Sequence, residues 1–287
     1  MSAETQPVFI IGCGRSGTQS MARFLNAFQE ADCEHEYQVL ETQKLGTLKY
    51  AGLVNSRECI DFLRTHHEAA VHYSQKQIWG DSSNKLAWMI PEVHQVFPQA
   101  KFIHLTRDGR KVTSSLYHKL GDEVMDDHSM EIMQNYLRGT SQMCPPPEKK
   151  YWWPSPLEND PAFPAFQTWD HFARICWHWR EINQRILDDF SHLPPANVRT
   201  IKLEDITSSR QSILDLSAFL GLSPTEEQIQ LLGRPYNVVR PENNPLNDAQ
   251  TTAFQNICGS MQEMLGYQSR EEYTLNYSKN SLEKDAP

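Results

Sequence analysis

Apolar positions along the chain alternate between two periods. Residues 8–11 (Val-Phe-Ile-Ile) form a run short enough for a buried strand, and a turn containing Gly12, Gly14 and Gly17 follows it. Beyond Ser20 the apolar positions fall at 21, 24, 25 and 28, which predicts a helix over 20–30. Residues 31–40 (ADCEHEYQVL) read as a strand or turn that returns towards the mouth of the glycine loop. Residues 41–75 read as polar helix with apolar positions at 53, 60 and 63. A strand over 77–80 ends in the polar cluster Asp81-Ser82-Ser83-Asn84, and an amphipathic helix is expected over 86–97. The apolar segment 101–105 is a further strand, running through a turn at Asp108-Gly109 into a helix that starts near Arg110.

In the second half, 168–190 has strong helical spacing, and its tryptophans are expected in the core. Residues 197–203 alternate like a strand. Helices follow at 212–220, stopped by Gly221, from about Pro224, and at 251–265, stopped by Gly266; 238–247 reads as loop. Strands alternating with helices imply an α/β fold built on a parallel sheet with right-handed crossovers.

The stretch from about 120 to 168 breaks this rhythm. It is acidic at 122–127, then rich in proline (145–147, 154, 156, 161, 164), with Tyr151, Trp152 and Trp153 embedded in it. Its aromatic content argues against a disordered linker and predicts a helical or irregular cap over a site. The expected organisation is one domain over 1–287 with this insertion.

Composition narrows the function classes. The 287 residues are 39% hydrophobic and 22% charged, with a net charge of −9. That balance opposes a general nucleic-acid binder, so local basic residues must build any anion site. No apolar run reaches 18 residues and no signal-peptide pattern opens the chain, so neither a transmembrane segment nor secretion is expected. Six scattered cysteines without a C-x-x-C read as free thiols in a reducing, cytoplasmic setting. His66, His67 and His72 read as surface or hydrogen-bonded side chains, and no metal site is expected.

Two stretches carry candidate chemistry. Strand, glycine turn and helix form a phosphate cradle, in which backbone N–H groups and the positive end of the helix point at an anion. The Gly12-to-Gly17 spacing matches the first half of the triphosphate motif, but Thr18 and Gln19 stand where its lysine and magnesium-binding hydroxyl belong. Gly14, Arg15, Ser16, Gly17, Thr18, Gln19 and Ser20 therefore suit an anion with fewer charges and no metal. In the second stretch Arg107 ends a strand and Ser115 follows eight residues later on a helix, a pair able to grip one phosphate from two sides. Together they describe a ligand with two anionic ends. Glu34, His35 and Glu36 lie near the loop's mouth. Asp81 and Ser82 sit at a strand's C-terminal end, where they either contact ligand or cap the next helix.

The segments FIIGCGRSGTQS and KFIHLTRDGRKVTSS resemble the two signature motifs of the sulfotransferases that use 3′-phosphoadenosine-5′-phosphosulfate (PAPS). The R-S-G-T loop and R-D-G-R turn are most similar to the bacterial and tyrosyl-protein branches. The resemblance implies a P-loop-type three-layer α/β/α fold. It implies a 5′-phosphosulfate on the glycine loop, with Arg15 stabilising charge during transfer, and a 3′-phosphate on Arg107 and Ser115. Glu36 is then the first choice for the base that accepts the acceptor's proton, ahead of His35, and Asp81 and Ser82 are further contacts. The implied acceptor is a hydroxyl, or as second choice an amine, of a small molecule, lipid or carbohydrate, against which Trp152 and Trp153 are candidates for stacking. The R-K-G loop common near the C-terminus of the family is absent; Arg234 and Arg240 are candidates to replace it. Competing readings are a small-molecule P-loop kinase, which the missing lysine after Gly17 disfavours, and a nucleotide-binding module without catalysis.

Overall fold

The computed structural model describes residues 5–233 and 245–267. The strands are β1 (Gln6–Ile11), β2 (Ala31–His35), β3 (Ile78–Ser82), β4 (Lys101–Thr106) and β5 (Val198–Lys202). Helices α1 (Thr18–Leu25), α2 (Val39–Tyr50), α3 (Ser56–Leu63) and α4 (Ala69–Tyr73) come first, then α5 (Ile90–Val96), α6 (Gly109–Lys119), α7 (Asp127–Leu137) and α8 (Phe163–Phe166). The remainder are α9 (His171–Phe190), α10 (Leu203–Ser208), α11 (Arg210–Leu220), α12 (Glu226–Leu232) and α13 (Asp248–Met264).

All strand pairs are parallel, in the order β2-β3-β1-β4-β5. The central strand explains its own sequence. Val8 and Ile10 face one layer, packing with Met21, Phe24 and Leu25, while Phe9 and Ile11 face the other with Trp79 and Phe102. A strand buried on both faces reads as a continuous apolar run. The edge strands are polar where they meet solvent: Asp32, Glu34 and His35 on β2 and Arg199 and Thr200 on β5 are exposed.

Local deviations from the expected elements have side-chain causes. Helix α1 stops at Leu25 rather than near residue 30. The Asn26 side chain donates to Cys33 O (2.8 Å) and accepts from Cys33 N (2.7 Å), which turns the chain into β2. The expected helix over 86–97 is a 3₁₀ turn, Lys85–Trp88, followed by α5, whose first turn contains Pro91. Thr225 caps α12, so Pro224 lies one residue ahead of the cap rather than inside the helix. Trp179 of α9 is fully buried, as its spacing predicts; Trp177, off that stripe, is fully buried as well, and Trp169, ahead of the helix, is only partly buried. Five cysteines are buried and Cys144 is exposed. Among the described residues no helix is long and apolar enough to cross a membrane.

The insertion is stitched to the body. Trp152 is fully buried; its carbonyl accepts from Gln43 Nε2 (2.7 Å) and Thr47 Oγ1 (2.9 Å), and its indole N–H donates to Pro146 O (2.6 Å). Trp153 donates its indole N–H to Glu123 O (2.8 Å).

Gly109 opens α6 where α9 and α13 close over it: a Cβ there would sit 2.7 Å from Trp179 Cζ2 and 2.8 Å from Phe254 Cζ. Rigid rings cannot swing aside as a flexible tip would. Gly109→Ala is expected to lower stability by about 1–3 kcal/mol. Urea unfolding measures it, and an unchanged midpoint would contradict this packing.

Candidate active site

The site lies at the C-terminal edge of the sheet, where β1, β2, β3 and β4 release their loops. The glycine loop turns from β1 into α1. At its last position Gly17 has φ 102°, and a Cβ would lie 2.7 Å from Leu203 Cδ1, so the turn requires glycine. Arg15 holds a positive φ of 69° without being glycine, a costly conformation that the surroundings must enforce.

Arg107 and Ser115 enforce it. Arg107 Nη1 donates to Arg15 O (3.0 Å), and Arg15 Nε donates to Ser115 Oγ (3.1 Å). The two sequence-predicted anion stretches thus meet on one residue. Arg107 is aimed by its neighbour: Asp108 caps α6, binds Arg110 through both carboxylate oxygens (3.0 and 2.7 Å) and accepts from Gln262 Nε2 (2.9 Å). Burial, reinforced by the charge of Arg107, lowers the Arg15 pKa. Two guanidinium groups share a partly dry space, which a bound anion would relieve.

Strand β2 brings the next pair. His35 Nε2 lies 3.2 Å from Thr18 Oγ1, and Glu36 Oε2 lies 3.0 Å from Lys149 Nζ. Although His35 is exposed at the sheet edge, its ring is partly desolvated by its neighbours, which is the chief cause of its lowered pKa, with Glu36 and Asp81 opposing and Lys149 and Lys85 assisting. Burial pushes Glu36 up, but Lys85 and Lys149 outweigh it and hold the carboxyl below its usual range. The opposing charge comes from the buried Lys85 and from Lys149 of the proline-rich stretch.

Asp81 and Ser82 are fully buried beneath the cleft. Ser82 Oγ donates to Thr18 O (2.7 Å), while Asp81 binds Tyr37 N (3.1 Å) and His67 Nε2 (3.2 Å). Neither caps the following 3₁₀ turn. Ser16 is buried, its N–H donating to Cys13 O (3.1 Å).

The resulting cleft has a volume of ≈ 160 Å³. Gly14, Arg15, Gly17, Thr18, Gln19, Ser20, His35, Glu36, Arg107 and Trp153 line it. Leu116, Leu120 and Val124 form an apolar wall. Trp152 takes no part in the lining, and the face of Trp153 is covered by Lys85 Nζ, 4.3 Å from the ring centroid. Arg234 and Arg240 lie outside the described residues. Among the described residues, no group of three or more His, Cys, Asp or Glu side chains is placed to hold a metal ion.

Two cations of the cleft have no place in the sequence reading. Lys85 is 4% exposed, and burial pulls its pKa down to about 8 against the pull of Glu36. Its signal was a lysine set directly between the polar cluster 81–84 and an apolar run. Lys149 reaches the cleft from the proline-rich insertion, which no local pattern announces. Asn84 also faces the cleft, with a buried Oδ1 that has no partner among the described residues.

Residues 7–145 match the family model described as Sulfotransferase family. No curated protein sequence matches the chain. Among solved structures, a sulfotransferase from Alicyclobacillus acidocaldarius aligns at 14% identity and a TM-score of 0.49, covering 91% of this chain and 95% of that one. A sulfotransferase from Mycobacterium avium aligns at 13% and 0.49, covering 91% and 77%. A mouse sulfotransferase complexed with PAP aligns at 13% and 0.44, covering 92% and 89%.

Lys85 yields a pH test. The unfolded chain keeps this proton up to the ordinary value of 10.5, whereas the folded chain releases it at about 8. Folding stability should therefore rise as pH climbs from about 8 towards 10.5, and Lys85→Met should remove that slope. Urea unfolding at several pH values between about 7 and 10 decides it; an identical slope in the variant would count against a buried, depressed lysine.

The matched segment contains both the glycine loop and the Arg107–Ser115 pair, and over it the chain is similar to the sulfotransferase family.

Proposed function

We propose that this protein transfers a sulfuryl group from PAPS to a hydroxyl of a small-molecule, lipid or carbohydrate acceptor. The observation that carries the reading is the convergence of Arg107 and Ser115 on Arg15 of the glycine loop, beside a cleft lined by Arg15, Arg107 and His35, in a chain of net charge −9.

The residues present fit such a donor. Loop N–H groups from Gly14 to Ser20 and the start of α1 take the 5′ anion. Arg107 and Ser115 take the 3′-phosphate; Ser115 Oγ accepts from Arg15 Nε and keeps its own O–H to donate. Arg15 and Lys85 supply fixed positive charge where the leaving phosphate gains negative charge. The donor, when bound, provides a sulfur centre that a hydroxyl oxygen attacks in line. The acceptor O–S bond forms as the S–O bond to the phosphate breaks, and the acceptor's proton goes to the enzyme.

His35 is the better base of the pair. Its lowered pKa leaves it neutral at pH 7, so a ring nitrogen can accept the proton. Glu36, held as a carboxylate by Lys85 and Lys149, acts as counterion that balances and orients both lysines. Leu116, Leu120 and Val124 exclude water beside the reacting oxygen.

Arg15→Ala should lower kcat by about 10²–10³-fold, read as transfer of labelled sulfate from PAPS, with folding intact by circular dichroism. Full retention of rate would sink the assignment. His35→Ala should cost more than Glu36→Gln in the same assay, and the reverse order would return the base role to Glu36. Adenosine 3′,5′-bisphosphate without Mg²⁺ should raise the melting temperature, and Arg107→Ala should abolish that rise; stabilisation by Mg·ATP alone would favour a kinase.

A further inference from the structure

Between β2 and α2 the chain makes a tight turn, Glu36-Tyr37-Gln38, with positive φ at both Glu36 (57°) and Gln38 (51°). Two non-glycine residues in left-handed conformations within three positions cost free energy and persist only where neighbours hold them. Three tethers do so. Glu36 N donates to Ser82 O (3.2 Å), Tyr37 N to Asp81 Oδ1 (3.1 Å) and Thr42 Oγ1 to Tyr37 O (3.1 Å). The Tyr37 ring stands edge-on to His67 and to Trp79, at centroid distances of 5.1 and 5.4 Å.

Asp81 is the centre of this anchorage. Its second carboxylate oxygen lies 3.2 Å from His67 Nε2, and both side chains are fully buried. His67 reaches it from a five-residue π-helical turn, Arg64–Glu68, between α3 and α4. Such wide turns are rare and concentrate at functional places. His67 Nδ1 is buried with no partner among the described residues, which assigns the proton to Nε2, facing the carboxylate. A buried carboxylate that accepts one backbone N–H and one imidazole N–H is fixed in orientation, and so is the turn it holds.

We propose that the buried Asp81–His67 pair is a positioning clamp for the strap that carries His35 and Glu36 into the cleft. The role rests on the reading of His35 as the proton acceptor. Neither clamp residue lines the cleft, so the pair acts through the strap. It also acts through charge. The groups facing His35 are Glu36 and Asp81, which favour its protonated form, and Lys149 and Lys85, which with burial oppose it. Asp81 thus keeps burial and the two lysines from weakening His35 further as a base.

Three variants test the clamp. His67→Leu removes the donor and should lower kcat about tenfold or more, with the Kd for adenosine 3′,5′-bisphosphate within about twofold of wild type, because the strap and not the donor site is loosened. His67→Gln restores a donor of similar reach and should recover most of the loss. Asp81→Asn should move the NMR titration of the His35 ring to lower pH, and the acid limb of the kcat profile with it. The clamp is overturned if His67→Leu keeps its kcat within twofold, or if the His35 titration in Asp81→Asn superimposes on wild type. Should Asp81→Asn not fold, the contrast between His67→Leu and His67→Gln decides. If the wild-type protein transfers no sulfuryl group, the functional reading fails by itself, and the His35 titration still decides the clamp.

Discussion

Two guanidinium groups and two ammonium groups, Arg15, Arg107, Lys85 and Lys149, face one small cleft in a chain whose net charge is −9. Like charges brought together in partly dry surroundings repel. The arrangement therefore needs a frame stiff enough to resist it. The parallel sheet provides that frame: β1 and β4 are neighbours, so the loop after one and the arginine after the other emerge side by side. Arg15 takes its strained backbone because Arg107 grips its carbonyl and Ser115 its side chain.

Beneath the cleft, buried polar groups carry the strain. Ser82 holds the start of α1, Asp81 holds the strap after β2, and Asp108 holds the start of α6. A second network, in which Tyr267 meets Thr106 (3.1 Å) and Glu204 (3.0 Å) while Glu204 accepts from Asp108 N (3.0 Å), ties the end of α13 to the end of β4. The glycine loop, the strap after β2 and the start of α6 are thus each fastened to a buried polar group at or near a strand end. Buried polar networks of this kind rigidify a site, because breaking one member leaves a buried polar group unpaired.

The proline-rich stretch contributes charge to the cleft as well as packing. It donates Lys149 to Glu36 and seats Trp153 under Lys85. Lys149 helps to hold the Glu36 carboxyl below its usual range, although it lies far from the glycine loop in sequence. The sulfotransferase match covers residues 7–145 and ends just short of this lysine.

Much of the framework was legible beforehand. The run 8–11 read as a strand because burial on both faces makes it uniformly apolar, and the strand, turn and helix that carry Arg107 and Ser115 were readable because they are local features. The glycine loop was likewise local: its turn must bring backbone amides together whatever packs around it. Other features were decided only by tertiary structure. No local pattern shows that Arg107 and Ser115 both close on Arg15, that Asp81 turns inward to His67, or that Lys85 and Lys149 hold the Glu36 carboxyl below its usual range. Conformation along one strand or helix follows from neighbouring residues. Charge state and orientation in the cleft depend on groups up to about a hundred positions apart, and only the packed sheet brings those together.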